Sequence, residues 1–398
     1  MIHIFSESNG VCSTWGNYQI KTFDGDIFQL QSTCNHILAS QCRSNYEGFN
    51  IQLRRQTQNN ETTIMKVTMK LEGTIVELTS SAINVNGETI TVPYNGPGVF
   101  IEKISYYLTV KATMGVTAIW NLDDAFMVEL NQKYKNQTCG LCGDFNGVPI
   151  YNEFIKDGVN LSAPDYGNLW KMDDPTEHCE EQAAIVNDNC GDEVPKATLA
   201  SYEYRVNHFS NCSAAVSVES FVKVCMKDLC QCNTTSGFSC LCQTIAEYSR
   251  QCAYAGGVPE NWRKKDFCSM SCPASMVYME CGNPCIDTCS NSEKKDCTQH
   301  CIDGCFCPPG TVFDDVTKSG CIPLSECSCT HGGKVYASGE SYTTSCGSKC
   351  TCNGGQWNCT EKNCPATCSL QGGAHFITYD GKPYTFHGDC TYVLSKVC

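Results

Sequence analysis

One glycine-rich stretch of the sequence, residues 138–147, brings sulfur and oxygen side chains within a few positions of one another. Two cysteines separated by two residues can close disulfides or exchange them as thiols. Short carboxylate and amide side chains at alternate positions can turn their oxygens toward one centre, as a hard cation requires. The candidates are Cys139 and Cys142 for the sulfur chemistry, and Asp144, Asn146, Asn152 and Glu153 for the cation.

Both chemistries have a plainer alternative. Aspartate and asparagine in such loops often only close Asx-turns. The cysteine pair can form ordinary structural bridges to partners elsewhere. Asp144 next to Cys142 would raise a thiol pKa rather than lower it, and no thioredoxin-like βαβ pattern surrounds the pair. The sequence therefore favours structural bridges over thiol exchange.

Cysteine content indicates the compartment. The chain has 398 residues and 34 cysteines, a density typical of disulfide scaffolds that persist in oxidising surroundings. Six Asn-x-Ser/Thr sequons agree with the secretory pathway and predict N-glycosylation. They begin at Asn60, Asn136, Asn160, Asn211, Asn233 and Asn358. We predict a secreted, extracellular protein that passes through the ER and Golgi.

The charge and hydropathy of the chain exclude other classes of partner. A net charge of -14 argues against binding to nucleic acid or to anionic membranes. No stretch approaches 18 apolar residues, so no membrane insertion is expected. The first ten residues lack a signal-peptide pattern, which suggests a fragment or an incomplete gene model. No hydrolase or kinase motif occurs, and the eight histidines form no HxH or HxxxH pair.

Cysteine spacing divides the chain into segments of different character. Residues 43–138 lack cysteine and contain short alternating apolar stretches divided by Asn86-Gly87 and Asn95-Gly-Pro-Gly98, a pattern typical of an antiparallel sandwich or barrel. Residues 179–268 combine cysteines with helical periodicity and predict a small stapled helical module. Residues 272–327 and 329–364 contain ten and six cysteines, which predicts two mini-modules held by disulfides.

The beginning of the chain repeats near its end. Cys12, Asp24, Cys34 and Cys42 return at an offset of 356 positions. Their counterparts are Cys368, Asp380, Cys390 and Cys398. Because the second copy contains only the opening of a β module, we predict that residues 368–398 are mobile or only weakly docked.

This order of segments resembles a von Willebrand D assembly. The motifs that carry the resemblance are the aromatic-Asp-Gly start at Phe23, the Cys-Gly-Leu-Cys-Gly-Asp-Phe-Asn-Gly loop, and the ten-cysteine segment that opens at Cys272. The chain looks most like the first D assembly of a secreted gel-forming mucin. The resemblance implies a von Willebrand D domain at 11–180, a C8 domain at 181–270, a trypsin-inhibitor-like domain at 271–328, an E module at 329–364 and the start of a second D domain at 365–398.

The resemblance also implies a function. It implies calcium bound by Asp144, Asn146, Asn152 and Glu153, with Asp24 joining from the start of the domain. The chain would be a structural assembly module, not an enzyme, that self-associates with other D assemblies into a disulfide-linked mucus polymer. The alternatives are a clotting-type or matrix and adhesion glycoprotein, a thiol–disulfide oxidoreductase working through Cys139 and Cys142, and a protease inhibitor.

Residues 12–268 contain fifteen cysteines, an odd number that cannot close internally. We predict that the odd cysteine lies in the helical segment 179–268 and not in the Cys139–Cys142 pair.

Overall fold

Alternating apolar residues in the first third of the chain build two antiparallel sheets. The structure is a computed structural model of the chain. It divides into two units, residues 1–269 and 270–398. The residues it describes are 9–58, 61–148, 154–156, 158–172, 179, 212, 216–231, 237–273, 275–291, 300–344, 347–360, 366–372 and 374–396.

The first sheet of the first unit has eight strands in the order β10-β11-β12-β13-β14-β1-β2-β3. Neighbouring strands along the chain pair directly, except that β14 returns to pair with β1, where Cys12 lies opposite Val128. Its strands are β1 Gly10–Trp15, β2 Gln19–Lys21, β3 Ile27–Gln29, β10 Tyr94–Gly96, β11 Val99–Ile104, β12 Tyr107–Ala112, β13 Val116–Trp120 and β14 Phe126–Leu130.

The second sheet has seven strands in the order β15-β4-β5-β6-β7-β8-β9. Asn86 and Gly87 both have positive φ, of 52° and 84°, as the tight turn between β8 and β9 requires. The strands are β4 Asn35–Gln41, β5 Phe49–Gln58, β6 Glu61–Leu71, β7 Thr74–Thr79, β8 Ile83–Val85, β9 Glu88–Thr89 and β15 Thr138–Cys139.

The two sheets face one another across a single apolar core. Leu38, Ile51 and Val76 of the second sheet lie in the same buried cluster as Val110 and Trp120 of the first. Strands such as β7 and β13 alternate between buried and less buried positions, as expected where one face of a sheet packs on the core, whereas β1 and β14 are buried at nearly every position. The mostly β, disulfide-rich architecture predicted from the sequence is confirmed.

The described residues between 154 and 269 of the first unit form a small hairpin and helices. A small hairpin, β16 Ile155–Lys156 and β17 Val159–Asn160, precedes a helix whose N-cap Ser162 accepts a hydrogen bond from the backbone N–H of Asp165. Two longer helices follow within the segment predicted to be helical, and their buried faces form a second apolar cluster around Phe221 and Ile245. The helices are α1 Ala163–Leu169, α2 Val218–Gln231 and α3 Gly237–Tyr254.

The second unit has small sheets and little apolar core. Its buried apolar cluster contains Cys289, Val312 and Cys327, so disulfides replace a hydrophobic interior. The bridges among its described residues are Cys272–Cys305, Cys281–Cys301, Cys289–Cys327, Cys307–Cys321, Cys329–Cys352 and Cys350–Cys359.

All the sheets of the second unit are antiparallel. The pairs are β18 Val277–Gly282 with β19 Ile302–Phe306, β20 Thr311–Asp314 with β21 Gly320–Pro323, and β22 Cys329–His331 with β23 Lys334–Tyr336; the two three-stranded sheets are β24 Ser341–Thr343, β25 Lys349–Asn353 and β26 Gln356–Cys359, then β27 Ser369–Gln371, β28 His375–Ile377 and β29 Pro383–Thr385.

Candidate metal centre at the Cys139–Gly147 loop

The glycine-rich loop is attached along β4 by its backbone. The N–H groups of Leu141 and Cys142 donate to the carbonyls of Ile37 and Leu38, at 3.0 and 2.8 Å. Gly140 has a φ of +111°, and a Cβ there would lie 2.7 Å from the carbonyl oxygen of Leu38. No side chain fits at that approach, so the sequence needs glycine between the two cysteines.

Both cysteines of the loop are in disulfides, and each has a different partner. Cys139 is bonded to Cys42 at the end of β4, and Cys142 is bonded to Cys12 in β1. The Cys12–Cys142 bridge joins positions 130 residues apart, and Cys142 is fully buried. The pair therefore ties the loop to both sheets and forms no bridge within itself.

Asp24 reaches the loop from the turn between β2 and β3. The turn is closed by the Asp26 N–H, which donates to Thr22 Oγ1 at 3.1 Å. The two carboxylate oxygens of Asp24 accept hydrogen bonds from the backbone N–H groups of Asn146 and Gly147, at 3.2 and 2.5 Å. Sequence positions 122 and 123 residues apart are thereby joined.

Only one of the two carboxylate oxygens of Asp144 has a partner among the described residues. Its Oδ2 lies 3.4 Å from Nη2 of Arg43, a side chain that is 60% exposed. Its Oδ1 is buried, and no hydrogen-bond donor among the described residues reaches it. A buried carboxylate oxygen without a donor is costly, and a bound cation would satisfy it.

Asn146 forms the Asx-turn that is the alternative to a cation ligand. Its Oδ1 accepts a hydrogen bond from the Val148 N–H at 2.6 Å, which is an Asx-turn. Asn152 and Glu153 lie outside the described residues. In the part of the chain that the structure describes, no three His, Cys, Asp or Glu side chains cluster closely enough to hold a metal ion. Of the five predicted ligands, Asp24 contacts the loop through the backbone of Asn146 and Gly147, and Asp144 and Asn146 lie in that loop.

Beside the loop, β1 and β2 pack on α2 and α3 through a buried polar network that the sequence did not reveal. Trp15 Nε1 donates to Thr244 Oγ1 at 3.3 Å, and Thr244 Oγ1 donates to Asp228 Oδ2 at 3.3 Å. Gln19 Nε2 donates to Asp228 Oδ1 at 2.8 Å. Burial raises the pKa of Asp228 to about 7 because desolvation outweighs these hydrogen bonds.

Three of the six predicted glycosylation sites lie within the described residues. Asn136, Asn160 and Asn358 are all exposed, as glycan attachment requires. Asn60, Asn211 and Asn233 lie outside the described residues. No helix in the described residues is long and apolar enough to cross a membrane.

Family models match the chain in a fixed order. The von Willebrand factor type D domain matches residues 12–159 and again 368–398. The C8 domain matches residues 201–269, and the trypsin inhibitor like cysteine rich domain matches residues 272–327. The second type D match coincides with the internal repeat.

Mucins are similar to the chain over nearly its whole length. Human mucin-5AC is 47% identical over 98% of this chain, human mucin-5B is 47% identical over 98%, and rat mucin-2 is 44% identical over 98%. The chain spans 7%, 7% and 26% of these relatives, respectively. The chain thus has matches to the type D, C8 and trypsin-inhibitor-like domains in the order of a von Willebrand D assembly, and it resembles the gel-forming mucins over nearly its whole length.

Proposed function

We propose that this chain is a calcium-dependent, disulfide-stapled assembly module of a secreted mucin-type polymer. It would associate with further D assemblies as the full-length protein packs and polymerises into an extracellular gel. The similarity to mucins over 98% of the chain supports the mucin class. The single observation that supports calcium is the buried Asp144 Oδ1, which lacks a donor within the described residues and belongs to a loop already bonded to Asp24.

Asp24, Asp144 and Asn146 would hold the calcium ion, with Asn152 and Glu153 completing the set. Calcium would supply positive charge that joins the loop to the β2–β3 turn. The protein's own contribution is rigidity, because the two disulfides and the β4 hydrogen bonds fix the loop before any ion binds. Arg43 is the competing cation, and its exposed ion pair with Asp144 is weak enough for calcium to displace.

A melting experiment tests the calcium proposal. An ion that binds only the folded state raises stability by mass action. Adding a chelator should therefore lower the melting temperature of the full chain. Asp144→Ala should abolish that effect, while the matched control Asp380→Ala, in the second copy, should leave it unchanged. A wild-type melting temperature that is unchanged by the chelator would falsify the calcium site.

We infer a structural role rather than an enzymatic one. An exchange site of the CxxC type works by opening and closing a bridge between its own two cysteines, whereas here each cysteine is bonded to a different strand. In the segment matched by the C8 model we propose a helical module built on α2 and α3, docked on β1 and β2.

Self-association is tested in solution. Sedimentation of the oxidised chain, with calcium and with chelator, should show a larger species when calcium is present. Non-reducing electrophoresis would report any disulfide-linked product. A monomer under all conditions would contradict self-association by this segment. It would leave the calcium proposal, which the melting experiment tests, unaffected.

A further inference from the structure

A cleft of about 500 Å³ opens in the first unit between the β2–β3 turn and the start of α2. This volume is in the range of small-molecule sites, roughly 300–1,000 Å³. Lys21, Lys135 and Asp24 are the charged side chains among the described residues that line it. We call it the Lys21 cleft.

The charges of the Lys21 cleft favour an anion. The two carboxylate oxygens of Asp24 already accept the N–H groups of Asn146 and Gly147. Two ammonium groups then face one engaged carboxylate, in a chain whose net charge is -14. Local positive charge in an acidic protein is not explained by composition and marks a place where an acidic ligand is preferred.

Lys21 is the central group. Its side chain is half-buried, and desolvation lowers the pKa of the ammonium against the attraction of Glu247 and Asp24. No hydrogen-bond acceptor for it is found in the described part of the chain. Glu247 is already engaged by Arg250 at 2.9 Å and by Gln251 at 2.8 Å. Lys21 lines the cleft, so its ammonium has donors to offer a ligand there.

Helix α2 adds a second, independent source of positive potential. Ser217 precedes its first residue, Val218, and Ser220 lies in its first turn; both serines line the cleft. The first N–H groups of a 14-residue helix carry partial positive charge. Glu219 of the same turn is exposed and is not part of the lining.

Apolar rings complete the lining. Phe23, Phe145 and Phe221 contribute to the walls, beside the serine hydroxyls. A ligand with an acidic group, several hydroxyls and an apolar ring face matches all three features. We propose that the Lys21 cleft binds a sugar that carries a carboxylate or sulfate group, held by Lys21 and by the N-terminus of α2.

Calorimetry on the full chain in calcium buffer tests this with glucuronic acid and glucose 6-sulfate as probes. Both should bind, and glucose should bind at least about tenfold more weakly. Lys21→Met should lower the affinity for both acidic probes about tenfold, while Lys21→Arg keeps most of it. Lys70→Met removes one positive charge from β6 of the other sheet and should change nothing.

Several outcomes would overturn the proposal. They are no binding of either acidic sugar to the wild type, equal binding of glucose, and an equal loss in Lys70→Met. Inorganic sulfate binding as tightly as glucose 6-sulfate would mean a simple anion site and would overturn the sugar assignment. If Lys21→Met does not fold, the double variant Ser217→Ala, Ser220→Ala replaces it and should weaken binding about threefold.

Discussion

The same three-stranded antiparallel motif occurs twice in the chain, as part of the eight-stranded sheet of the first unit and as a separate sheet in the second unit. In the first unit, β1, β2 and β3 pair so that Thr14 lies opposite Ile20. In the second unit, β27, β28 and β29 pair so that Leu370 lies opposite Phe376. Each position is displaced by 356 residues, the offset of the cysteine repeat.

The turns agree in detail as well. The Asp26 N–H donates to Thr22 Oγ1 at 3.1 Å, and the Lys382 N–H donates to Thr378 Oγ1 at 3.0 Å. Gly25 and Gly381 both have positive φ, of 104° and 79°. Local sequence is therefore sufficient to set strand register and turn geometry in this motif.

The surroundings of the two copies differ. Thr14 and Trp15 of the first copy are buried, at 1% and 0% exposure, since Thr14 accepts a hydrogen bond from Arg55 and Trp15 packs on Phe221 of α2. In the second copy, Leu370 is 47% exposed and Tyr384 is 46% exposed. Both copies have the hydrogen bonds, but the first copy buries much more apolar area. We therefore expect most of the stability difference to come from burial.

The largest expected contrast is in cysteine reactivity. Cys12 and Cys34 of the first copy are bonded to Cys142 and Cys179, whereas their counterparts Cys368 and Cys390 are free. Alkylation of the native oxidised chain, followed by peptide mapping, should label Cys368 and Cys390. We also predict label on one cysteine between residues 179 and 268. Label on Cys139 or Cys142 would contradict this account and favour the exchange site.

Trp15 and its counterpart Gln371 test the role of burial. Trp15 stacks on Phe221 with ring centroids 5.7 Å apart, so Trp15→Ala should destabilise the first unit by about 3–5 kcal/mol. Gln371→Ala, at an exposed position, should change stability by less than about 0.5 kcal/mol. Denaturant unfolding followed by circular dichroism compares the two, and similar effects would show that burial does not distinguish the copies.

Asp228 adds a pH dependence to the first copy alone. It accepts a hydrogen bond from Gln19 of β2, whereas His375, the counterpart of Gln19 in the second copy, is exposed and contacts Thr385. The folded-state pKa of Asp228, about 7, is above the ordinary 3.8, so the folded state holds its proton more tightly. Its contribution to stability is then present at low pH and is lost as pH rises toward and through 7.

Raising pH from 5.5 to 7.5 should cost the first unit about 2 kcal/mol through this one group. Asp228→Asn should remove that part of the slope. The test is to measure the free energy of unfolding at both pH values for the wild type and for Asp228→Asn. Parallel pH profiles would rule out Asp228 as the source of the pH dependence.

The smallest expected effect is one that the two copies share. Alanine at Gly25 or Gly381 must adopt positive φ and should cost about 1 kcal/mol in either turn. Hydrogen exchange at the Asp26 and Lys382 amides should accelerate about fivefold in the matching variant. Unequal costs would mean that tertiary contacts, and not the local sequence, set the turn.

Sequence patterns indicated an antiparallel β module over residues 43–138, where alternation is strong in strands such as β13, and the Asn86-Gly87 pair marked the turn between β8 and β9. Short strands such as β2 and β3 have too few residues for a periodic signal. Disulfide partners could not be derived, since parity alone leaves many pairings open. The contact between Gln19 and Asp228 spans 209 positions, and no local pattern encodes it.

Hydrogen exchange of the full chain with calcium and with chelator tests the central claim most directly, because the second copy is an internal control. We predict that chelation accelerates exchange at the Asn146 and Gly147 amides and over the turn at residues 22–26. The turn at residues 378–382, which has Asp380 but no such loop among the described residues, should exchange rapidly in both conditions. Unchanged exchange at Asn146 and Gly147, or an equal change in both turns, would contradict the calcium-bound loop as the organising site of the domain.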